Sequence, residues 1–415
     1  MRGLVIAFVI AVLLGTAMRL WLGARQLRAV HDHRGRVPEP FAGQVSLAEH
    51  QRAADYTLAR IRVSSIETVV DAALLLALTV GGGIAVIDQL WRRTALPAPW
   101  LGIVVCVSVL AVSALVGLPF SLWRTFRVEA RFGFNRSSLW LFFADRLKGL
   151  LVAAVLGIPV LYGILLLMAR GGPYWWLYAW VLWVAFSLAL AWAWPVLIAP
   201  LFNRFSPLAD EALRQRIESL LERCGFAARG VFVIDGSRRS AHGNAYFTGF
   251  GRNKRIVFFD TLLERLAGAE VEAVLAHELG HFRLRHVRQR LVLSIVQSLV
   301  ALALIAWLAR QPAFAAVFGA APSPYLTLLL FALIAPAFGF FVSPLSAWWS
   351  RRHEFAADRF AAEHASAADL AEALVKLYRD NATTLTPDPV SSAFYDSHPP
   401  ALVRIATLKS LPARG

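Results

Sequence analysis

The sequence predicts a mainly α-helical, polytopic membrane protein with one sizeable polar segment, on three observations. Of its 415 residues, 58% are hydrophobic and only 17% charged, against about 45–50% and about 25% in a soluble globular domain. Seven apolar stretches reach the roughly 18 residues that cross a bilayer core at about 1.5 Å of rise per helical residue. Between the fifth and sixth lies a polar run, 201–289, with helical and strand-like patterning in turn. The mean hydropathy of +0.56 excludes intrinsic disorder and a small disulfide-stapled secreted fold. A net charge of +15 belongs, in so apolar a chain, to basic loops flanking the spans rather than to a nucleic-acid surface. Cys106 and Cys224 form no CxxC and no metal spacing, so they carry no redox signal.

The spans are expected at 3–22, 66–88, 100–123, 147–169, 174–200, 290–309 and 324–347. The first also resembles a secretory signal, with Met1-Arg2 ahead of an apolar run and small residues at Gly15-Thr16-Ala17. Its continuation past Arg19 into Leu20-Trp21-Leu22, and the six spans that follow, favour a retained helix. Tryptophans gather near span ends (Trp91, Trp100, Trp123, Trp175, Trp176, Trp348, Trp349), as in aromatic belts at the headgroup level. Orientation follows from the basic residues. The first loop holds Arg25, Arg28, Arg34, Arg36, Arg52, Arg60 and Arg62, and the third Arg124, Arg127, Arg131, Arg136, Arg146 and Lys148. The opposite side holds only Arg92, Arg93, Arg170 and Arg310. Positive-inside logic puts the N-terminus outside, and the C-terminus and the 201–289 run in the cytoplasm.

Within that run, Asp210 to Cys224 reads as an amphipathic helix on Leu213, Ile217, Leu220 and Leu221, and Val231–Ile234 as a strand. Asn244–Phe250 and Arg255–Phe259 flank a turn at Gly251-Arg252-Asn253-Lys254, which predicts a hairpin. A helix is expected from Ala269 into His286, with Glu270 and Glu272 in its first turn at the positive end of the dipole. That helix carries His277-Glu278-Leu279-Gly280-His281. Two histidines four apart share a helical face, so both can reach one tetrahedral zinc while Glu278 points at the open position. Three protein ligands plus one water would leave an activatable nucleophile. His286, five residues past His281, is expected to point elsewhere. The candidate third ligand is Glu354 in Ser350–Asp358, with Asp358 four residues on and able to reach a ligand histidine. His353 lies about 100° around the helix from Glu354 and stays outside the expected site. Arg238, Arg239 and Arg252 read as solvated loop residues. No GxSxG is present and neither cysteine sits near a histidine in sequence, which disfavours serine or cysteine proteolysis.

Several further segments make a family resemblance specific. Asn244-Ala245-Tyr246-Phe247-Thr248-Gly249, Lys254–Leu262, the His277–His281 core, Ser350–Asp358 and Ser397-His398-Pro399-Pro400 occur in the order seen in the CAAX prenyl protease type I family. Gly133-Phe134-Asn135-Arg136 and Phe142-Phe143-Ala144-Asp145 are similar to that family too. The chain resembles it from the first span to near the C-terminus. Its members are seven-span zinc metalloproteases of the gluzincin type, of the ER membrane and its bacterial relatives. The resemblance implies seven helices enclosing a water-filled chamber, with one Zn2+ per chain at its cytoplasmic end. It implies His277, His281 and Glu354 as ligands and Glu278 as general base. Asp358 matches the carboxylate behind a ligand, sometimes assigned as proton donor. His398 and Arg404 match an element near the cleft, and Asn244 the asparagine on the substrate-facing strand. The residues alone agree in part: a hairpin edge beside an HExxH helix can take an extended peptide by strand addition. Asn244 and His398 could then donate to a developing oxyanion, although a turn asparagine and a helix-start histidine are ordinary too.

The expected regions are 1–200 with five spans, 201–289 as the cytoplasmic zinc-protease region, 290–347 with spans six and seven, and 348–415 supplying the third ligand and the His-Pro-Pro element. The expected function is a membrane-embedded zinc endopeptidase acting on peptides or protein tails, with the bilayer as its other partner, no nucleic acid, and an oligomeric state the residues do not specify. One alternative is a membrane quality-control protease of the heat-shock-induced type, a group usually shorter with fewer spans. The other is a transporter or receptor with a vestigial zinc helix. Short loops, and no ER-retention signal at Pro412-Ala413-Arg414-Gly415, favour a bacterial inner membrane, where a prenylated natural substrate is not expected.

Overall fold

The computed structural model describes residues 1–226, 230–248 and 255–411. Its principal helices are α1 (Arg2–Asp32), α2 (Leu47–Leu78), α3 (Gly83–Arg92), α4 (Ala98–Trp123), α5 (Leu139–Arg170), α6 (Trp175–Ala193), α7 (Glu211–Arg223), α8 (Gly268–Arg283), α9 (His286–Ala309), α10 (Pro324–Gly339), α11 (Ser343–His364), α12 (Ala367–Asp380), α13 (Pro389–Tyr395) and α14 (Ala401–Ser410). Six helical stretches among the described residues are long and apolar enough to cross a membrane, and seven if α2 and α3 count as one span bent by 51°. The stretch expected at 66–88 is therefore not one straight helix. Gly82 sits at φ +78°, and a Cβ on Gly81 would lie 2.7 Å from the Ala77 carbonyl oxygen; only glycines permit this bend. α4 and α6 run on through wide π turns at Arg124–Glu129 and Trp194–Ile198.

The long helices pack on Phe8, Ile84, Val105, Val109, Leu326 and Leu330, and expose Leu14, Leu110, Leu115, Leu150, Leu151 and Val296. Such exposure suits hydrocarbon, where helices satisfy their own backbone polar groups. A buried polar tie closes one end of this bundle. The Tyr325 hydroxyl donates to Asp88 at 2.6 Å and Arg92 donates to the other carboxylate oxygen at 2.7 Å, joining α3 to α10.

The polar part forms a four-stranded sheet of β1 (Phe205–Pro207), β2 (Val231–Ile234), β3 (Ala245–Thr248) and β4 (Arg255–Phe259), in the order β1-β2-β4-β3. β3 and β4 pair antiparallel as the expected hairpin, Ala245 opposite Phe258 and Phe247 opposite Ile256. The turn at Gly251–Lys254 and the expected strand end at Gly249-Phe250 lie outside the described residues. β1 and the parallel pairing of β2 with β4 had no sequence signal, because both depend on chain-distant partners. β3 is an edge strand, so one row of its backbone groups is free to pair.

Ile217 and Leu220 of α7, Phe258 of β4, Leu275 and Leu279 of α8, Leu374 of α12 and Ile405 of α14 share one core. Phe41 and Val45, from the loop between α1 and α2, join it. Segments before α9 and after α10 thus fold around the same centre, with two spans looped out between them. The bend at Gly82 gives a test by contrast with Gly117, whose Cβ position is open. Gly82→Ala should destabilise by about 1–2 kcal/mol through its left-handed backbone. Gly117→Ala should be neutral or stabilise by up to about 1 kcal/mol through helix propensity. The melting temperature in detergent should fall for Gly82→Ala and hold or rise for Gly117→Ala, and equal shifts would contradict the bend.

Candidate metal centre

α8 brings His277, Glu278 and His281 to the site. Its start is fixed by Glu270, which accepts the Ala267 N–H at 2.7 Å and the Lys376 ammonium at 2.5 Å. Glu272 instead pairs with Arg216 and Arg223 of α7. These two acids therefore anchor the helix to its neighbours as well as opposing its dipole. Gly280 lets α8 approach α11: a Cβ there would lie 3.1 Å from the Ala357 Cα and 3.2 Å from the Phe360 Cβ. That close approach carries Glu354 to the two histidines.

The Nε2 atoms of His277 and His281 are 3.3 Å apart, and Glu354 places one carboxylate oxygen 3.4 Å from each. Donors about 2.0–2.1 Å from a metal at the corners of a tetrahedron are about 3.3 Å apart, so this trio could hold such an ion. The imidazole and carboxylate donor set suits zinc. His277 Nδ1 donates to Asp358 at 2.8 Å, which fixes the tautomer that leaves Nε2 as donor toward a metal. Arg404 grips Asp358 through two bonds of 2.7 and 2.6 Å. Asp358 and Arg404 are both buried. Burial alone would lower the Arg404 pKa, but the hydrogen bonds and charge of Asp358 outweigh it and the guanidinium is raised.

A cavity of about 510 Å³ opens on this trio, walled by Glu278, His281 and Glu354, by Tyr246 and Phe247 of β3, and by Trp194 at the π turn of α6. The half-buried Glu278 makes no hydrogen bond or ion pair among the described residues, which leaves its carboxylate available in the cavity. His398 also lines the cavity, with Nδ1 2.7 Å from Glu354. Asp358 and Arg404 stand behind His277 rather than on the cavity wall. Asn244 precedes β3 with an exposed side chain whose oxygen accepts the Ala245 N–H at 2.9 Å, and it is not among the lining residues.

Three sequence expectations change. α8 does not run into His286. It ends at Arg283, and Arg285 at φ +63° turns the chain so that His286 folds back over the site. There its Nδ1 lies 3.0 Å from His281 Nδ1, supplying the partner that orients the second ligand histidine. A single αL residue without glycine leaves no sequence signature. His353, outside the donor trio as expected, is nonetheless buried and stacks on His286 at 3.9 Å. Arg239 is no solvated loop residue: it grips Asp145 at 2.7 and 3.1 Å and donates to the Phe202 carbonyl at 2.6 Å, tying the loop before β3 to α5. Arg252 lies outside the described residues. Both cysteines are buried and free, and burial raises the Cys224 thiol.

Comparisons with known proteins cover nearly the whole chain. Residues 26–204 match the CAAX prenyl protease N-terminal family of five membrane helices, and residues 207–411 match peptidase family M48. The CAAX prenyl protease 1 homolog of Arabidopsis thaliana is 33% identical over 94% of this chain and 93% of its own. That of Homo sapiens is 35% identical over 72% and 71%. The crystal structure of S. mikatae Ste24p superposes with a TM-score of 0.91 at 28% identity, covering 97% of this chain and 98% of that one.

If the trio binds the metal, His277→Ala, His281→Ala and Glu354→Ala should each lose most metal on purification, while Glu278→Gln keeps it. Asp358→Asn should weaken affinity about 10–100-fold. Metal analysis showing full occupancy in Glu354→Ala would contradict the pairing of the two motifs.

Proposed function

The chain belongs to peptidase family M48 and is an integral membrane metalloendopeptidase; on that premise we propose that it holds one zinc ion at His277, His281 and Glu354 and cleaves flexible protein tails. The observation that carries this reading is the convergence of three donors at tetrahedral spacing beside an unengaged Glu278 in a cavity bordered by an edge strand. When bound, zinc would supply Lewis acidity, polarising the scissile carbonyl and acidifying a water.

The chain's own residues do the rest. β3 presents free backbone groups on which an extended peptide pairs main chain to main chain. Tyr246 and Phe247 supply an apolar wall for its side chains. The Glu278 carboxylate takes the proton of the attacking water and passes it to the leaving amine nitrogen. Asp358 holds His277 in the donor tautomer and Arg404 keeps Asp358 charged. His398, on the cavity wall, and Asn244, at the start of β3, are the candidates for donating to the oxyanion. The relatives are named as CAAX prenyl proteases; here the basic loops support an orientation with the site toward the cytoplasm, and the short loops a bacterial inner membrane, where tails in general would be the substrates. The match to the five-helix N-terminal family favours this reading over the heat-shock-induced type.

Glu278→Gln should keep fold and metal while turnover falls at least about 10²–10⁴-fold, and should hold substrates in the cavity. Mass spectrometry of species recovered with this variant from its membrane should find flexible tails or membrane-proximal segments. Tightly folded soluble proteins cut in their interiors would overturn the enclosed-cleft reading. Reporter fusions should place the C-terminal tail in the cytoplasm and Ala320 on the other side, and activity on the wrong side at either point contradicts the orientation.

A further inference from the structure

Among the described residues lining the catalytic cavity, Arg290 is the one lysine or arginine. Arg283, Arg285 and Arg288, close in sequence, do not line it, and three further arginines on α11 and α14 are engaged. Arg404 is bound to Asp358, Arg351 donates to the Asp396 and Ser392 carbonyls at 2.7 and 3.4 Å, and Arg352 lies over the Trp348 ring. Arg290 has no acidic partner among the described residues. A single bond, 3.1 Å from its Nη2 to the Ser350 hydroxyl, steadies the guanidinium and leaves the rest of its donor fork free.

Its place is informative. Arg290 is one helical turn beyond His286 on α9, and Ser350 is one turn before Glu354 on α11. Both step back from the donor trio toward the apolar parts of their helices. Arg290 is exposed as well as part of the cavity lining, so its guanidinium is accessible to a ligand entering there. One turn is about 5.4 Å, the length of one to two extended residues at about 3.3 Å each, and the arginine side chain adds its own reach. A group held by Arg290 would therefore sit a few residues from a peptide bond placed beside Glu278. The free fork matches a carboxylate in shape and charge, and a chain terminus is a carboxylate that every tail carries.

We propose that Arg290, steadied by Ser350, binds the C-terminal carboxylate of the substrate, so that the enzyme cuts a few residues from a free chain end. This rests on the tail-protease reading above and adds what that reading leaves open, how an end is told from an interior segment. Arg290 acts as a specificity residue, touching the substrate away from the reacting bond.

The probe is a flexible, unprenylated tail peptide with a fluorophore–quencher pair, in three forms: free α-carboxylate, carboxamide, and carboxamide with aspartate as last residue. Wild type should prefer the free carboxylate by about 10- to 100-fold in kcat/KM, the range for a hydrogen-bonded charge, with the difference in KM. Arg290→Gln should collapse that ratio toward one, and Arg290→Lys should keep part of it, with zinc content certifying an intact site. The same preference should appear as peptide affinity in Glu278→Gln, measured without turnover. Equal handling of carboxylate and carboxamide by wild type, or a preference that survives Arg290→Gln, overturns the proposal. An aspartate carboxamide that matches the free acid overturns the assignment to the chain terminus. No turnover of any form would strike the tail-protease reading, while the affinity comparison still decides for or against Arg290.

Discussion

The buried chain of contacts from Arg404 to Asp358 to His277 is the constraint on which the site depends. It joins α14, α11 and α8, three helices from segments separated by two membrane spans. Asp358 and Arg404 are 2% and 5% exposed, so either left alone would be an uncompensated buried charge, a loss of about 3–5 kcal/mol. Paired, they give His277 a fixed tautomer and α11 a fixed register against α8. Glu354, one turn before Asp358, then has nowhere to go but beside the two histidines. Gly280 makes the approach possible, since any side chain there would push α11 outward.

The bilayer supplies the second constraint. α9 carries the chain away from the site and α10 with α11 brings it back, so spanning helices set the distance between the two halves of the donor trio. The soluble core closes over the result, with α7, α8, α12 and α14 packed on β4. A peptidase site assembled this way sits at the end of a helical enclosure, with an edge strand on one wall.

Much of this was legible in the residues. Apolar length gave the spans, the four-residue histidine spacing gave one face of α8, and the Glu354–Asp358 spacing gave both the third donor and the carboxylate behind His277. What escaped the sequence was geometry made by the backbone or by remote partners. The bend at Gly81-Gly82 divided a stretch that hydropathy reads as continuous. The left-handed Arg285 returned His286 to the site, against a periodicity that sends it away. Arg239 looked like one more loop cation because Asp145 and Phe202, its partners, lie far along the chain. Parallel pairing of β2 and β4 was invisible for the same reason.

The central claim is that one zinc ion is held by two imidazoles and a carboxylate drawn from chain-distant segments. X-ray absorption spectroscopy of the zinc-loaded protein tests it most directly. The account predicts two imidazole scattering paths and only nitrogen or oxygen neighbours at about 2.0–2.2 Å. A sulfur neighbour at about 2.3 Å, or a single imidazole, would contradict it.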